Sequence, residues 1–286
     1  MARGRPLLLI DGDSLAHRAY HGSRPLRGAG GRPINAMHGF AVMLLALVRT
    51  EQPRGVLACW DTLGVPTYRG ELWPEYQSGR EFDPEIVEQL DRLPGLVEAF
   101  GFAAAKAAGY EADDLLAAAV RAEGEAGGTA LVVTSDRDAY QLVTEAVTVL
   151  APRSGAYAPD RIDPAEVVER YGVRPEQVPD FIALRGDPSD KLPGAPGVGA
   201  LSAAALLRRY GSLAAILKAG RFARQAEDLR LYRAIAAMDK KAPLPRLTDQ
   251  KPTWAKAAAL ARRWQLHQLA SRLEQMAKNP AAQKIR

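Results

Sequence analysis

Nine carboxylates in five short clusters are the residues of this chain whose types and spacing can do chemistry: Asp11; Asp61; Glu111, Asp113 and Asp114; Asp136 and Asp138; Asp187 and Asp190. Four clusters fall where an apolar strand ends or a helix begins, and the fifth lies in a Gly/Pro-rich turn. Acids that converge from separate strand ends repel one another and stay ionised only if cations hold them together. Oxygen-only ligands in that number suit Mg²⁺ or Mn²⁺. Two such ions about 4 Å apart bind both the attacking and the leaving oxygen of an in-line phosphoryl displacement. Such chemistry needs no Ser/His/Asp or Cys/His nucleophile.

Each cluster also has an ordinary explanation. Glu111-Ala-Asp113-Asp114 opens a helix, where acids are favoured by the dipole. Three acids in four residues exceed what capping needs, and Asp113 points to a different side from the i, i+3 pair Glu111 and Asp114. Asp136 and Asp138 can aim at one pocket, with Asp136 also able to cap the next helix. Asp187-Pro-Ser-Asp190 has the composition of an Asx turn. It is the shared rim that favours the metal reading over five unrelated local roles.

The elements that must position these acids are legible as apolar runs. Leu7–Ile10 ends at Asp11, Val56–Trp60 ends at Asp61, Thr129–Thr134 ends before Asp136, and Val147–Leu150 is a fourth run. Helical patterns at Ala36–Thr50, Pro84–Phe100 and Ala112–Glu123 alternate with them. The alternation predicts an α/β fold with a mainly parallel sheet covered on both faces. Ligands of such sheets bind at the carboxyl ends of the strands. Gly64–Asp83 interrupts the pattern with Tyr68, Arg69, Trp73, Tyr76 and Arg80, and reads as a long loop or irregular helix projecting from the sheet. From Asp163 onward the chain reads as helices: Asp163–Tyr171, Pro175–Leu184, about 200–210, Phe222–Asp239 and Trp254–Met276, with Ala242–Pro252 as the best candidate linker. Gly194, Gly197 and Gly199 precede one of these helices and can offer backbone N–H groups to a phosphate.

Composition sets the class of partner. The chain has 286 residues, 47% of them apolar, and a net charge of +5. An acidic rim on a basic body suggests metal-assisted chemistry on a polyanion, most simply a nucleic acid. Cys59 is the only cysteine, which excludes an intrachain disulfide and a Cys-based zinc site. His17 and His21 are spaced for one helical face but lack the zincin Glu. The first apolar run is too short for a signal peptide, and none approaches the ~18 residues of a membrane span. The expectation is a cytoplasmic protein with no membrane partner.

With these residues in hand, the chain resembles the bacterial 5′ nuclease (flap endonuclease-like) family, which includes the N-terminal domain of DNA polymerase I and stand-alone 5′–3′ exonucleases. The motifs are LLLIDGDSLAHRAYH, Trp60-Asp61, GYEADD at 109–114, TSDRDAYQL at 134–142 and GDPSDKLPGAPGVG at 186–199. The resemblance implies a PIN-like nuclease core over 1–160 with a helical arch at 65–94. It also implies a helical DNA-binding region over 161–286 with a helix–hairpin–helix-like motif at 186–218. One metal is associated with Asp11, Asp61, Glu111 and Asp113, a second with Asp138, Asp187 and Asp190, and Asp136 lies between them. Two or more Mg²⁺ or Mn²⁺ ions, and a K⁺ ion at the glycine-rich corner, are the implied cofactors.

Arg18 and Tyr20 match positions near the terminal nucleotide, Tyr76 and Arg80 match arch residues, and with Arg69 and Gln77 these are the expected DNA contacts beside the glycine-rich corner. The chain departs from the family where Tyr76-Gln77 replaces Tyr-Lys, so Arg80 or Arg69 is the candidate substitute cation. It also has Lys191 after Ser189-Asp190, Ala-Leu-Ser-Ala after Gly199, and an extra acid at Asp13. The implied activity is cleavage of DNA phosphodiesters near 5′ single-stranded ends or flaps, with RNA primers as further substrates and a monomer as the working state. Two alternatives stand beside it. One is a haloacid-dehalogenase-type phosphatase with Asp11 as nucleophile, Asp13 as general acid and Asp187/Asp190 as its late acidic motif, which leaves Asp61, Glu111-Ala-Asp113-Asp114, Asp136 and Asp138 unexplained. The other is a DNA-junction binding protein with weakened catalysis, supported by Gln77.

Overall fold

The computed structural model describes residues 4–62, 64–79, 81–153 and 158–278. Its centre is a six-stranded sheet built from β1 (Leu7–Asp11), β2 (Gly55–Trp60), β3 (Ala103–Lys106), β4 (Ala130–Val133), β5 (Val147–Ala151) and β6 (Asp160–Ile162). The order is β3-β2-β1-β4-β5-β6; the first five strands are parallel, and β6 pairs antiparallel to β5. β1 lies centrally and is buried along its whole length, as a strand covered on both faces must be.

Alternation along the strands splits the core in two. Leu7, Leu9, Leu57, Cys59, Val132 and Val149 point to one face, and Leu8, Ile10, Val56, Ala58, Val133 and Leu150 to the other. On the second face lie α1 (Gly12–Gly22), α2 (Asn35–Glu51), α4 (Pro84–Leu90) and α5 (Leu93–Ala99), while the short α3 (Tyr68–Leu72) sits at the rim. The first face is covered by α6 (Ala112–Glu125), then by α7 (Pro164–Tyr171), α8 (Val178–Arg185), α9 (Ala200–Tyr210), α10 (Leu213–Lys218) and α11 (Ala226–Ala236). The last two helices, α12 (Trp254–Arg263) and α13 (His267–Lys278), return to the second face.

Three expectations need correction. β3 and β6 were not foreseen: Ala-Ala-Ala-Lys has no β-branched residue, and Asp-Arg-Ile is a three-residue edge. The helix expected over Pro84–Phe100 is two helices, because the chain turns at Asp91-Arg92 and Pro94 fits only the first turn of a new one. Within the segment 65–94 that the resemblance reads as an arch, Ile86, Leu90 and Leu93 are core residues, and Trp73 packs edge-on against Tyr232 of α11 at 5.7 Å.

Ala242–Pro252 is not a free linker either. The Gln250 amide donates to the Arg54 carbonyl, its side chain accepts from the Val56 amide, and the Thr253 amide donates to the Phe100 carbonyl. A Cβ on Gly55 would come within 2.9 Å of the Thr248 carbonyl, and one on Gly101, whose φ is +85°, within 2.7 Å of the Lys251 carbonyl. The crossing strap therefore lies against backbone that only glycine permits. Among the described residues no helix is long and apolar enough to cross a membrane.

Candidate active site

β1 delivers Asp11 to the rim and hands over at once to α1. Asp11 caps α1 by accepting from the Ser14 amide at 2.9 Å, and its other oxygen accepts from the Thr134 hydroxyl at 2.7 Å. Gly12 follows because a Cβ there would meet the Trp60 ring at 2.5 Å. Asp61 follows β2 and accepts from the Ala112 amide at 2.7 Å, while its own amide donates to Asp13 at 2.7 Å. Glu111 caps α6, and a capping box pairs it with Asp114. Asp136 accepts from the Asp138 amide at 2.8 Å in the turn after β4.

These placements gather Asp11, Asp61, Glu111, Asp113, Asp136, Asp138 and Asp190 around one cavity of about 980 Å³. Asp13, His17, Arg18, His21, Tyr76 and Gln77 line it too. The rim inferred from topology is thus a single concavity. Asp13 is the acid that motif matching left out of the site; its place two residues after a strand-end acid, in the first turn of α1, was the available signal.

Two of the nine acids stand apart. Asp114 is fully buried and holds Arg69 through two contacts of 2.7 and 2.8 Å, with further bonds from the Tyr68 hydroxyl and the Asp239 amide. Asp187 accepts from the Ser189 amide and hydroxyl and from Arg185 at 3.0 Å, closing the turn that carries Asp190.

Arg69 is corrected as a DNA contact and as a substitute cation. It is 3% exposed, contacts Glu111 at 3.2 Å besides Asp114, and donates to the carbonyl of Ile235. A guanidinium so enclosed cannot reach a strand. Tyr76 donates its hydroxyl to Glu111 at 3.0 Å. Gln77, at a left-handed φ of +46°, donates its amide to Asp190 and to the Tyr76 hydroxyl, both at 2.9 Å. Lys191 reaches Ser78 at 2.9 Å, so the segment 76–78 is tied to the turn 187–192. Tyr20 donates to Asp83 at 2.7 Å, which pushes its phenol up to about 12. Arg80 lies outside the described residues. Gly194 has a packing reason, since a Cβ would come within 2.4 Å of the Gly186 nitrogen, whereas nothing crowds Gly197 or Gly199.

The electrostatics are those of an uncompensated bowl. Burial first, and the charges of Asp61 and Asp136 next, push Asp11 up to about 7 despite the Ser14 and Thr134 hydrogen bonds. Burial and the Asp61 charge push Asp13 up to about 8. Burial lifts Glu111 to about 7, against the pull of Arg69. Asp113 and Asp138 are held well above the usual range by burial and by their neighbours' charges, Asp136 first among them.

Among the described residues no three His, Cys, Asp or Glu side chains close tightly enough to hold an ion as they stand. Mg²⁺ keeps several of its waters and binds through one or two carboxylates, and a wide ring of carboxylate oxygens suits an ion held that way. The donor set fits hard divalent cations, and their charge is what would let these acids ionise together.

A mainly parallel sheet with acids converging at its carboxyl ends and a helical second half defines an α/β protein with an acidic site suited to hard divalent cations. The chain belongs to the 5′-3′ exonuclease family. Residues 6–172 match that family's N-terminal resolvase-like domain and residues 173–260 its C-terminal SAM fold. DNA polymerase I of Mycobacterium tuberculosis (strain H37Rv) is 46% identical over 220 residues, which are 75% of this chain and 24% of the polymerase. The chain thus spans about a quarter of the length of that relative. T5 5′-exonuclease with bound divalent zinc ions has the same fold, with a TM-score of 0.69 at 19% identity over 96% of this chain and 100% of that one. The catalytic core of Rad2 in complex with a DNA substrate gives 0.60 at 13% identity over 94% and 91%. Membership of this family removes the haloacid-dehalogenase phosphatase reading, which left Asp61, the acids at 111–114, Asp136 and Asp138 without a role.

Proposed function

We propose that the chain hydrolyses DNA phosphodiesters near 5′ single-stranded ends or flaps, leaving a 3′-OH and a 5′-phosphate, with Mg²⁺ or Mn²⁺ as cofactor. The supporting observation is the convergence of seven strand-end and turn acids on one cavity in a chain of the 5′-3′ exonuclease family. Asp11, Asp61, Glu111 and Asp113 would hold one ion, and Asp138 and Asp190 a second, with Asp136 between them. Bound there, divalent ions would supply hydroxide at neutral pH and neutralise charge on the departing oxygen.

The protein's own residues orient this ring. Thr134 fixes the direction of the Asp11 carboxylate, Tyr76 that of Glu111, and Gln77 that of Asp190. Asp187 shapes the turn that presents Asp190 and is proposed as part of the second metal's surroundings. Asp114 acts through Arg69 and Glu111 and is a positioning residue. Arg18 lines the cavity beside the acids, which supports a role for it in meeting a phosphate. Tyr20, Arg80 and the N–H groups at Gly194, Gly197 and Gly199 are proposed as further DNA contacts, the last with a K⁺ ion. RNA primers are proposed as a second substrate, and a monomer as the working state.

The test is a Mg²⁺-dependent digest of 5′-flap, nicked and blunt duplexes with product mapping. Asp136→Ala and Asp138→Ala should each lower turnover by a factor of about 1,000 or more, some 4 kcal/mol of barrier, while DNA affinity is kept. Near-normal turnover by either variant, or binding without cleavage by the wild type at saturating Mn²⁺, would refute the assignment.

A further inference from the structure

α11 runs out into Ala237-Met238-Asp239, with no glycine to turn its end. A helix leaves its last four carbonyls without partners inside the helix. Here the donors come from around the acid rim. The Ile235 carbonyl accepts from Arg69 at 2.9 Å, the Ala236 carbonyl from the Gln141 side chain at 2.9 Å, and the Ala237 carbonyl from the Tyr68 hydroxyl at 3.4 Å. The chain then leaves in an extended conformation, with Ala237 at φ −78° and ψ 128°. Arg69 ties this end to Glu111 and Asp114. Gln141 belongs to the TSDRDAYQL stretch and lies outside the cavity lining.

Both halves of the Gln141 amide are engaged. Its nitrogen donates to the Asp138 carbonyl at 3.0 Å and to the Ala236 carbonyl at 2.9 Å, and its oxygen accepts from the Met238 amide at 3.0 Å. A primary amide carries two N–H donors and an acceptor on one planar head; a carboxylate or an alkyl group cannot make this set. One anchor of the clamp is the 3₁₀ turn Asp138–Leu142, and the other is the exit of α11, where Ala236 and Met238 are buried. The Asp138 amide in turn donates to Asp136 at 2.8 Å. α8, which leads into the turn carrying Asp190, packs on both α11 and the 138–142 turn. The turn is thereby fastened to the helical second half of the chain as well as to the sheet that precedes it.

We propose that Gln141 is a positioning residue of the acid ring, which fixes Asp138 by locking its turn to the exit of α11. None of its three bonds involves a carboxylate, so Gln141 acts through the main chain. Hydrogen-bonded partners behind a metal-holding ligand set its direction, and their loss weakens metal binding by about 10- to 100-fold. The effect on a divalent ion rests on the place given to Asp138 in the nuclease reading above.

The test replaces Gln141 by Met in the full chain, which keeps the length of the side chain and removes its hydrogen bonds. Gln177→Met is the control. Gln177 is buried and makes the same kind of clamp at the carboxyl end of α9, donating to the Gly211 carbonyl at 2.8 Å and accepting from the Arg174 amide at 3.0 Å. Both variants should melt below the wild type. In a Mg²⁺ titration followed by NMR, the midpoint read at the Asp138 amide should rise about tenfold in Gln141→Met, and the midpoint read at the Asp61 amide should stay. Neither should move in Gln177→Met. On a flap substrate, Gln141→Met should lower kcat about tenfold and leave KM unchanged.

An Asp138 amide that does not respond to Mg²⁺, or a midpoint there that keeps its wild-type value, would overturn the proposal. So would a rise shared equally by Asp61 or by Gln177→Met, because general loosening produces that. Gln141→Asn keeps an amide one methylene short of spanning the two anchors; if Gln141→Met does not fold, the same rise at Asp138 alone is expected of Gln141→Asn. Failure of every protein, wild type included, to cleave DNA while the Mg²⁺ midpoints behave as stated would count against the nuclease reading and leave the positioning role in place.

Discussion

Arg69 and Gln77 show how much of the site is decided one side chain at a time. Both were legible as polar residues in an aromatic stretch, and nothing in their spacing distinguishes a DNA contact from a structural one. Burial settles it for Arg69. Two carbonyls of the α11 end and two acids surround the guanidinium, so Asp114→Ala leaves a buried cation without its main partner. Loss of one member of such a pair costs about 3–5 kcal/mol, and a urea-melting midpoint should report it. Gln77→Leu should leave that midpoint nearly unchanged, because the side chain sits at the cavity edge. It should lower kcat more than it changes KM for a flap substrate, through the freed Asp190 carboxylate; a change in KM alone would assign Gln77 to substrate binding instead.

At the scale of elements, runs of Leu and Val ending in Asp were enough to place Asp11, Asp61 and Asp136 on one rim. A parallel sheet puts every strand's carboxyl end on the same side, and this rule needs no knowledge of the loops. What the runs hid was the remainder of the sheet, because β3 is alanine-rich and β6 has three residues. They also hid the difference among the three acids of α6. Its first turn presents Asp113 to the cavity and Asp114 to the interior, a distinction of rotation about the helix axis that depends on where Arg69 packs. The junction of β1 and α1 offers a direct test. Gly12→Ala drives a methyl group into the Trp60 ring, and overpacking of this kind costs about 1–3 kcal/mol. Thermal melting should show the loss, together with reduced activity from a displaced Asp11.

For the molecule as a whole, the acid bowl sets a pH dependence. Asp11 and Glu111 are raised to about 7 and Asp13 to about 8. The folded state thus holds protons that the unfolded chain releases near pH 4. Stability from these groups is fully present below about pH 4 and is lost as pH rises through 7 to 8. In the presence of a chelator the denaturation midpoint should therefore fall across that window. Saturating Mg²⁺ favours the ionised acids and should flatten the fall. A chelator-treated protein whose midpoint stays level from about pH 5 to 8 would show that these carboxyls are not held protonated.

The strap at 242–253 has a consequence for anyone dividing this protein. It carries the chain from one side of the sheet to the other and delivers Trp254 to an edge-on contact with Phe100 at 5.9 Å. The two halves recognised as separate family regions are therefore laced together, the later one supplying a wall of the earlier one's interior. A fragment ending after β6 would expose Phe100 and the apolar side of α5 to water, and should be recovered as aggregate. The same fragment co-expressed with the remaining chain should yield a soluble, active pair.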